Sequence, residues 1–387
     1  MEMNELFYRD AYVKEFDGVV VSCEKMKDGY GIVLDDTAFY PEGGGQPGDT
    51  GYLNDVKVTD TKRIEDLVVH LCKESIAVGT VVHGRIDWDR RFDNMQAHTG
   101  EHLFSGLVHH LYGYDNVGFH MGEVIQVDFN GPLSWQDVNK VELLANQAIW
   151  RNEPVIIQYP DEKTLSELDY RSKKELQGKI RIVCVGKEDV CACCGTHVQS
   201  TGEIGLFKVL TCEKHKGGTR LTMLAGSKAY AYVSMLFEQG QKISHLLSAP
   251  MEQLASSVEK LQKEKTAADG KLQQYVRDNL LQKVQNARVE NGLMILFGEG
   301  VSRNDLRHCA KQALLQEEVK TIAICSKEDN SSYSYLIMSE CLPLRTLGKQ
   351  LNQLLDGRGG GSDELIQGTF LKEQEEIVTV LKEVLHG

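Results

Sequence analysis

Asp93-Asn-Met-Gln-Ala-His98-Thr-Gly-Glu101-His102-Leu-Phe-Ser-Gly-Leu-Val-His-His-Leu-Tyr112 sets Met95, Leu103, Leu107 and Leu111 at helical spacing, which predicts an α-helix. On that helix His98 and His102 are four residues apart and share one face, so two imidazoles can be directed at one ion. Glu101 completes the pattern His98-x-x-Glu101-His102, the inverted zinc-protease signature in which the Glu is a general base. A helical residue one step from a ligand points about 100° away from it, which favours a solvated or outer-sphere Glu101 over a base.

The flanks of this helix fix the architecture. Residues 1–90 alternate apolar and polar positions in short runs such as Gly18–Cys23, Tyr30–Asp36, Ala38–Gly45, Val56–Asp60 and Thr80–Asp87, punctuated by Gly and Asp; this pattern predicts strands closing into a small β-barrel. Residues 91–235 mix helical runs at Trp135–Trp150 and Thr164–Leu176 with strand-like runs at Glu123–Asn130, Ile180–Gly186 and Gly218–Gly226. From 236 to 290 the pattern is almost wholly helical, with Leu254, Val258, Leu261, Ala268, Leu272 and Tyr275 in steps of three and four, interrupted at Lys265. That spacing suits either a dimerising coiled coil or a hairpin within one chain. Residues 291–387 alternate strands and helices again. The expected fold is therefore α+β and multidomain: a barrel at 1–90, a metal-containing α/β domain at 91–235, a helical linker at 236–290 and a C-terminal α/β domain at 291–387.

Six of the ten cysteines are isolated, but Cys184, Cys191, Cys193 and Cys194 crowd beside His197, a density that core packing does not require. In Cys193-Cys-Gly-Thr-His197 a thiolate and an imidazole at C-x-x-x-H spacing would complete a tetrahedral set with His98 and His102, suited to Zn²⁺. Cys191 and Cys194 stand close enough to substitute for Cys193. The remaining composition is that of a soluble chain without signal peptide or membrane span, expected in the cytoplasm. A net charge of −13 from 43 basic and 56 acidic residues excludes general adhesion to nucleic acid and leaves RNA contact to local basic patches.

Four separated motifs, Thr37-Ala-Phe-Tyr-Pro-Glu-Gly-Gly-Gly-Gln-Pro-Gly-Asp-Thr-Gly51, Met95-Gln-Ala-His-Thr-Gly-Glu-His102, Cys193-Cys-Gly-Thr-His-Val198 and Gly218-Thr-Arg-Leu-Thr-Met-Leu-Ala-Gly226, together resemble the alanyl-tRNA editing protein (AlaX) family and the editing domain of alanyl-tRNA synthetase. The tail, with Asp356–Ser362 and Ile366-Gln-Gly368, looks like the DHH-associated domain of the longer family members. The resemblance implies a hydrolase acting in trans on mischarged tRNA for alanine, chiefly seryl-tRNA and also glycyl-tRNA, with no room before Thr37 for an aminoacylation domain. It implies zinc on His98, His102, Cys193 and His197. Cys194 departs from the pattern, standing where the family commonly has Gly.

By the same resemblance Gly118–Gly122 lines the amino-acid pocket, where His120 would hydrogen-bond a serine hydroxyl. Tyr40 and Gln46 fall in the glycine-rich motif, expected at the active-site rim or against RNA. Arg220, with Lys214 and Lys216, is expected to meet acceptor-end phosphates, and Arg345, Lys349 and Arg358 to form a second RNA-facing patch. Two other readings compete: a non-catalytic tRNA-binding factor with structural zinc, and an H-x-x-E-H metallopeptidase. Four protein ligands would fill a tetrahedral ion, so direct attack through the metal needs expanded coordination or a loose ligand, and zinc is as well suited to positioning the substrate.

Overall fold

The computed structural model describes residues 4–172, 180–328 and 332–385. The chain forms two compact units, Met1–Gln239 and Gly240–Gly387. The segments expected as separate domains at 1–90 and 91–235 thus share the first unit, and those at 236–290 and 291–387 lie mostly in the second.

In the first unit six antiparallel strands close a barrel: β1 (Glu15–Met26), β2 (Gly29–Leu34), β3 (Gly51–Leu53), β4 (Val56–Ile64), β5 (Leu67–Cys72) and β6 (Val81–Ile86), in the order β1-β2-β5-β4-β3-β6. Strict alternation builds it. In β6, Val82, Gly84 and Ile86 turn inward while Val81, His83 and Arg85 face out, as the two-residue period of a strand dictates. Ala38–Gly45, expected as a strand, is instead an irregular segment ending in a turn. Gly44 and Gly45 have φ of 59° and 87°, and Gly43 N–H donates to the Gln46 carbonyl and Gln46 N–H to that of Gly43. The left-handed backbone these glycines permit is incompatible with an extended ladder.

Helix α1 (Trp88–Tyr112) follows, capped by Asp87 at its start and by Gly113, φ 70°, at its end, a common left-handed helix stop. It lies against an antiparallel sheet of β7 (Asn116–Met121), β8 (Ile125–Phe129), β12 (Phe207–His215) and β13 (Gly218–Ala225), ordered β12-β13-β8-β7. Between them in sequence come α2 (Trp135–Arg151), β9 (Val155–Gln158), the short α3 (Glu162–Glu167), β10 (Ile182–Val185) and β11 (Asp189–Ala192), with β10 pairing with both β9 and β11 in a three-stranded sheet. Met95, Leu103, Phe104, Leu107 and Val108 of α1 enter one core with Val127, Phe129, Val138, Phe207, Leu221 and Met223. Truncating a fully buried ring such as Phe104 would cost about 3–5 kcal/mol.

The helix expected over Thr164–Leu176 stops at Glu167; Arg171 is extended and bridges Cys191 of β11, and residues 173–176 of that expectation lie outside the described residues. Arg171 N–H donates to Val190 O and its carbonyl accepts from Ala192 N–H, so strand pairing outcompetes local helix propensity here.

The first unit ends in α4 (Gly226–Leu247), which runs into the second; there α5 (Leu254–Asn286) leads to β14 (Leu293–Glu299), α6 (Arg303–Ala313), β15 (Thr321–Lys327), β16 (Tyr333–Ser339), α7 (Leu344–Leu354), β17 (Arg358–Gly361), β18 (Leu365–Phe370) and α8 (Gln374–Leu385). The sheet runs β14-β15-β16-β18-β17, parallel only between β14 and β15. Its two faces bury alternate residues: Met294, Leu296, Ile322 and Ile324 meet α6 and the Leu280 and Val284 end of α5, while Leu293, Ala323, Tyr335 and Ile337 meet α7 and α8. In the stripe on α5, Val258, Leu261, Leu272 and Tyr275 are exposed within the chain. Arg358 sits on the edge strand β17 and is exposed, as are Arg345 and Lys349 of α7.

Candidate metal centre

Helix α1 brings His98 and His102 to the sheet side of the first unit, and the turn after β11 carries Cys193 and His197 to meet them. One ligand atom from each of the four lies within 4.8 Å of the other three. His98 Nε2 and His197 Nε2 each approach Cys193 Sγ to 3.4 Å. The three imidazoles are almost fully buried and Cys193 is partly exposed. Gly195 makes this convergence possible: a Cβ there would fall 2.1 Å from His98 Cε1.

Each imidazole is held from behind at Nδ1. His98 Nδ1 is 2.9 Å from Gln46 Oε1, His102 Nδ1 2.9 Å from Asp189 Oδ2, and His197 Nδ1 3.2 Å from Thr99 Oγ1. The partners decide the tautomers. The Thr99 hydroxyl already donates to Met95 O and accepts from Val198 N–H, so toward His197 it accepts. Gln46 Nε2 donates to Thr196 Oγ1 while Thr196 N–H donates to Gln46 Oε1, so that oxygen accepts from His98 as well. A carboxylate can only accept. The acceptors therefore place a proton on Nδ1 of all three rings and leave Nε2 as the nitrogen that faces Cys193.

Electrostatics fit the same picture. Burial alone would push the Cys193 thiol up, but His98, His102 and His197 around it hold it well below the usual thiol value. Burial lowers His197 to about 3 despite the nearby thiolate. For His102 burial opposes charge, yet the Cys193 thiolate and the Asp189 carboxylate outweigh it and raise its pKa well above the ordinary imidazole value. Three imidazole Nε2 atoms and one thiolate form a donor set consistent with Zn²⁺.

The other residues expected at a site are placed as follows. Cys194 is exposed and outside the four-donor cluster, while Cys191 is buried and groups with His102 and Asp189 in a second set of three donors. Glu101 is buried rather than solvated; its Oε1 accepts from Ser105 Oγ at 2.6 Å and from Asn116 Nδ2. Asn116 stands on β7, so the carboxylate spans from α1 to that strand. Gln46 is fully buried with both ends of its amide engaged, which places it behind His98 and not at an RNA-facing rim. Tyr40 is also buried, its hydroxyl donating to Gly43 O at 3.1 Å and so bracing the glycine turn.

His120 is exposed on β7. Its neighbour Phe119 is the residue that meets the site, its ring centroid 5.3 Å from that of His98, and strand alternation turns His120 to the opposite face. Arg220 pairs directly across β13 and β8 with Asp128, donating from Nε at 2.6 Å and Nη2 at 2.7 Å. That fork is occupied by a carboxylate. Phe119, Thr99, Asp189 and Arg171 were not foreseen. Thr99, one turn from Met95 and adjacent to His98, and Phe119, inside Gly118–Gly122, lay within segments already singled out.

The glycine-rich segment reaches the site because the barrel is locked to α1. Arg91, with no exposed surface, donates Nε to both Asp49 oxygens at 2.9 and 3.1 Å, Nη1 to Ala11 O and Nη2 to Ala38 O. An arginine so fully satisfied fixes the loop that delivers Gln46.

Comparison with known proteins agrees with this geometry. Residues 9–90 match the family described as tRNA synthetases class II (A), and residues 180–222 the threonyl and alanyl tRNA synthetase second additional domain. The chain is 30% identical to the alanyl-tRNA editing protein AlaX-L of Pyrococcus horikoshii, over 100% of this chain and 99% of that one. It is 28% identical to the alanyl-tRNA editing protein Aarsd1-A of Xenopus laevis, over 97% of each. It is 31% identical to an alanine--tRNA ligase of Pyrobaculum calidifontis, over 98% of this chain but 44% of the ligase. With the four-donor cluster assembled from the two motifs and a full-length relative at that identity, the chain belongs to the alanyl-tRNA editing protein family.

Proposed function

We propose that this protein is a zinc-dependent aminoacyl-tRNA deacylase that acts in trans in the cytoplasm, hydrolysing the ester of serine, and secondarily of glycine, wrongly attached to tRNA for alanine. The observation that carries the reading is the convergence of His98, His102, Cys193 and His197, with the Nδ1 side of each ring held from behind and its Nε2 side turned to one sulfur. The names of the relatives support the alanyl-tRNA editing part of this reading. Ten unpaired cysteines suit a reducing compartment.

Zinc, when bound, supplies a fixed positive charge and Lewis acidity at the scissile carbonyl or the amino-acid end of the substrate. The chain's own groups do the rest. Cys193 and the three imidazoles hold the ion, and Gln46, Thr99 and Asp189 hold the imidazoles. Phe119, packed on His98, forms an apolar wall beside the donors and lowers access of bulk water. His120, Tyr40 and Arg220 have no substrate role in this reading. The peptidase alternative loses its base, since the Glu101 carboxylate is engaged by Ser105 and Asn116.

The test is release of serine from seryl-tRNA and of alanine from alanyl-tRNA, both on tRNA for alanine, by protein of measured zinc content. Rapid serine release with alanyl-tRNA spared supports the reading. Zinc-replete protein that releases neither leaves a binding factor.

A further inference from the structure

The three outer partners of the histidines are unequal. Gln46 and Thr99 are neutral, whereas Asp189 is a carboxylate with an exposed side-chain fraction of 1%, shared between His102 and a cation. Its Oδ2 accepts from His102 Nδ1 at 2.9 Å, and its Oδ1 accepts from Arg171 Nε at 2.8 Å. Arg171 is itself pinned to β11 through Val190 and Ala192, the strand on which Asp189 stands. Gly106 of α1 allows the approach, since a Cβ there would fall 2.6 Å from Asp189 Cβ. By contrast, the hydroxyl behind His197 is neutral, 3.2 Å away and shared with a backbone N–H.

We propose that Asp189, held by Arg171, is the positioning residue that makes His102 the anchored imidazole of the metal centre, leaving His197 the ligand most readily loosened. The proposal rests on the zinc reading of the four-donor cluster. Its physical basis is that a charged acceptor at Nδ1 fixes ring and tautomer and raises the donor strength of Nε2 more than a hydroxyl does. It also addresses how a site with four protein donors makes room for substrate: one donor gives way, and the outer contacts say which. The buried Asp189 charge is neutralised by Arg171, so the arrangement is stable without the ion.

The experiment is competition between the full-length protein and a zinc chelator, for the parent, Asp189→Asn, Arg171→Lys and Thr99→Val. Asp189→Asn should weaken zinc by about 10- to 100-fold, Arg171→Lys by less, and Thr99→Val by under about threefold. In the cobalt(II)-substituted protein, Asp189→Asn should displace one of three exchangeable ring N–H proton signals and leave two in place. Zinc binding by Asp189→Asn within threefold of the parent, or a loss with Thr99→Val as large as with Asp189→Asn, overturns the proposal. If Asp189→Asn does not fold, Arg171→Lys against Thr99→Val decides: a larger loss with Arg171→Lys supports the anchor, and equal or reversed losses overturn it. A parent that binds no zinc defeats the metal reading itself, while a parent that binds zinc and deacylates, with unchanged variants, defeats only the anchor.

Discussion

Gln46 Oε1 lies 2.9 Å from His98 Nδ1 across 52 residues of sequence, so the turn of the glycine-rich motif orients the first ligand of the α1 pair. The same amide closes on Thr196, between Cys193 and His197. One side chain thereby ties the barrel loop to both halves of the metal cluster. Gln46→Ala leaves the Thr196 N–H unpaired in a buried setting, and is expected to lower unfolding free energy by about 1–3 kcal/mol and to reduce deacylation. Urea unfolding together with serine release checks both; a variant as stable and active as the parent contradicts the tie.

Cys193→Ala removes the thiolate on which three imidazoles converge. Zinc content should fall well below one ion per chain, and serine release by about a hundredfold or more, equivalent to about 3 kcal/mol of barrier. Metal removal from the parent should also lower its melting temperature, because free zinc at about 1,000 times its Kd stabilises a folded site by roughly 4 kcal/mol. Metal analysis and melting curves with and without chelator measure this.

Gly195→Ala tests the close packing directly. The added methyl would sit 2.1 Å from His98 Cε1 and 2.2 Å from its Nδ1, so either the ring or the Cys193–His197 turn must shift. Zinc binding is expected to fail while circular dichroism shows the fold retained. Normal zinc affinity in this variant would mean that the turn relaxes freely.

His70 carries a pH dependence away from the metal. Fully buried, it donates Nδ1–H to Ile32 O and accepts at Nε2 from Thr37 Oγ1, both at 2.8 Å, and burial lowers its pKa from 6.5 to about 4. With the folded value below the unfolded one, the unfolded chain takes up the proton first as pH falls. Stability from this residue is thus complete above about pH 6.5 and is lost progressively toward pH 4, roughly 2 kcal/mol between pH 7 and 5. Urea unfolding at the two pH values, parent against His70→Asn, should show a shallower slope in the variant; equal slopes would exclude the assignment.

Arg220→Ala should leave serine release within about twofold of the parent and cost at most about 1 kcal/mol, the usual worth of a partly exposed ion pair. A large loss of tRNA affinity would restore the phosphate-binding role that the Asp128 pairing argues against.

The sequence by itself determined the parts of the molecule that depend on local periodicity and residue chemistry. The 3.6-residue repeat of Met95, Leu103 and Leu107 specified α1 and put His98 and His102 on one face, and the spacing of Cys193 and His197 marked the second pair, because ligand type and separation are local properties. Alternation in the first 90 residues was enough for a barrel. Only the tertiary structure decided what stands behind each ligand. Gln46, Thr99 and Asp189 reach the imidazoles from three different elements, and no local pattern encodes which distant acceptor faces a given Nδ1. The same holds for Arg220, whose partner is fixed by the register of β8 on β13, and for His120, which exchanged places with Phe119 because a strand turns successive side chains to opposite faces. Helix propensity likewise failed at Arg171, where pairing with β11 supplied backbone hydrogen bonds that a further turn of helix would have had to replace.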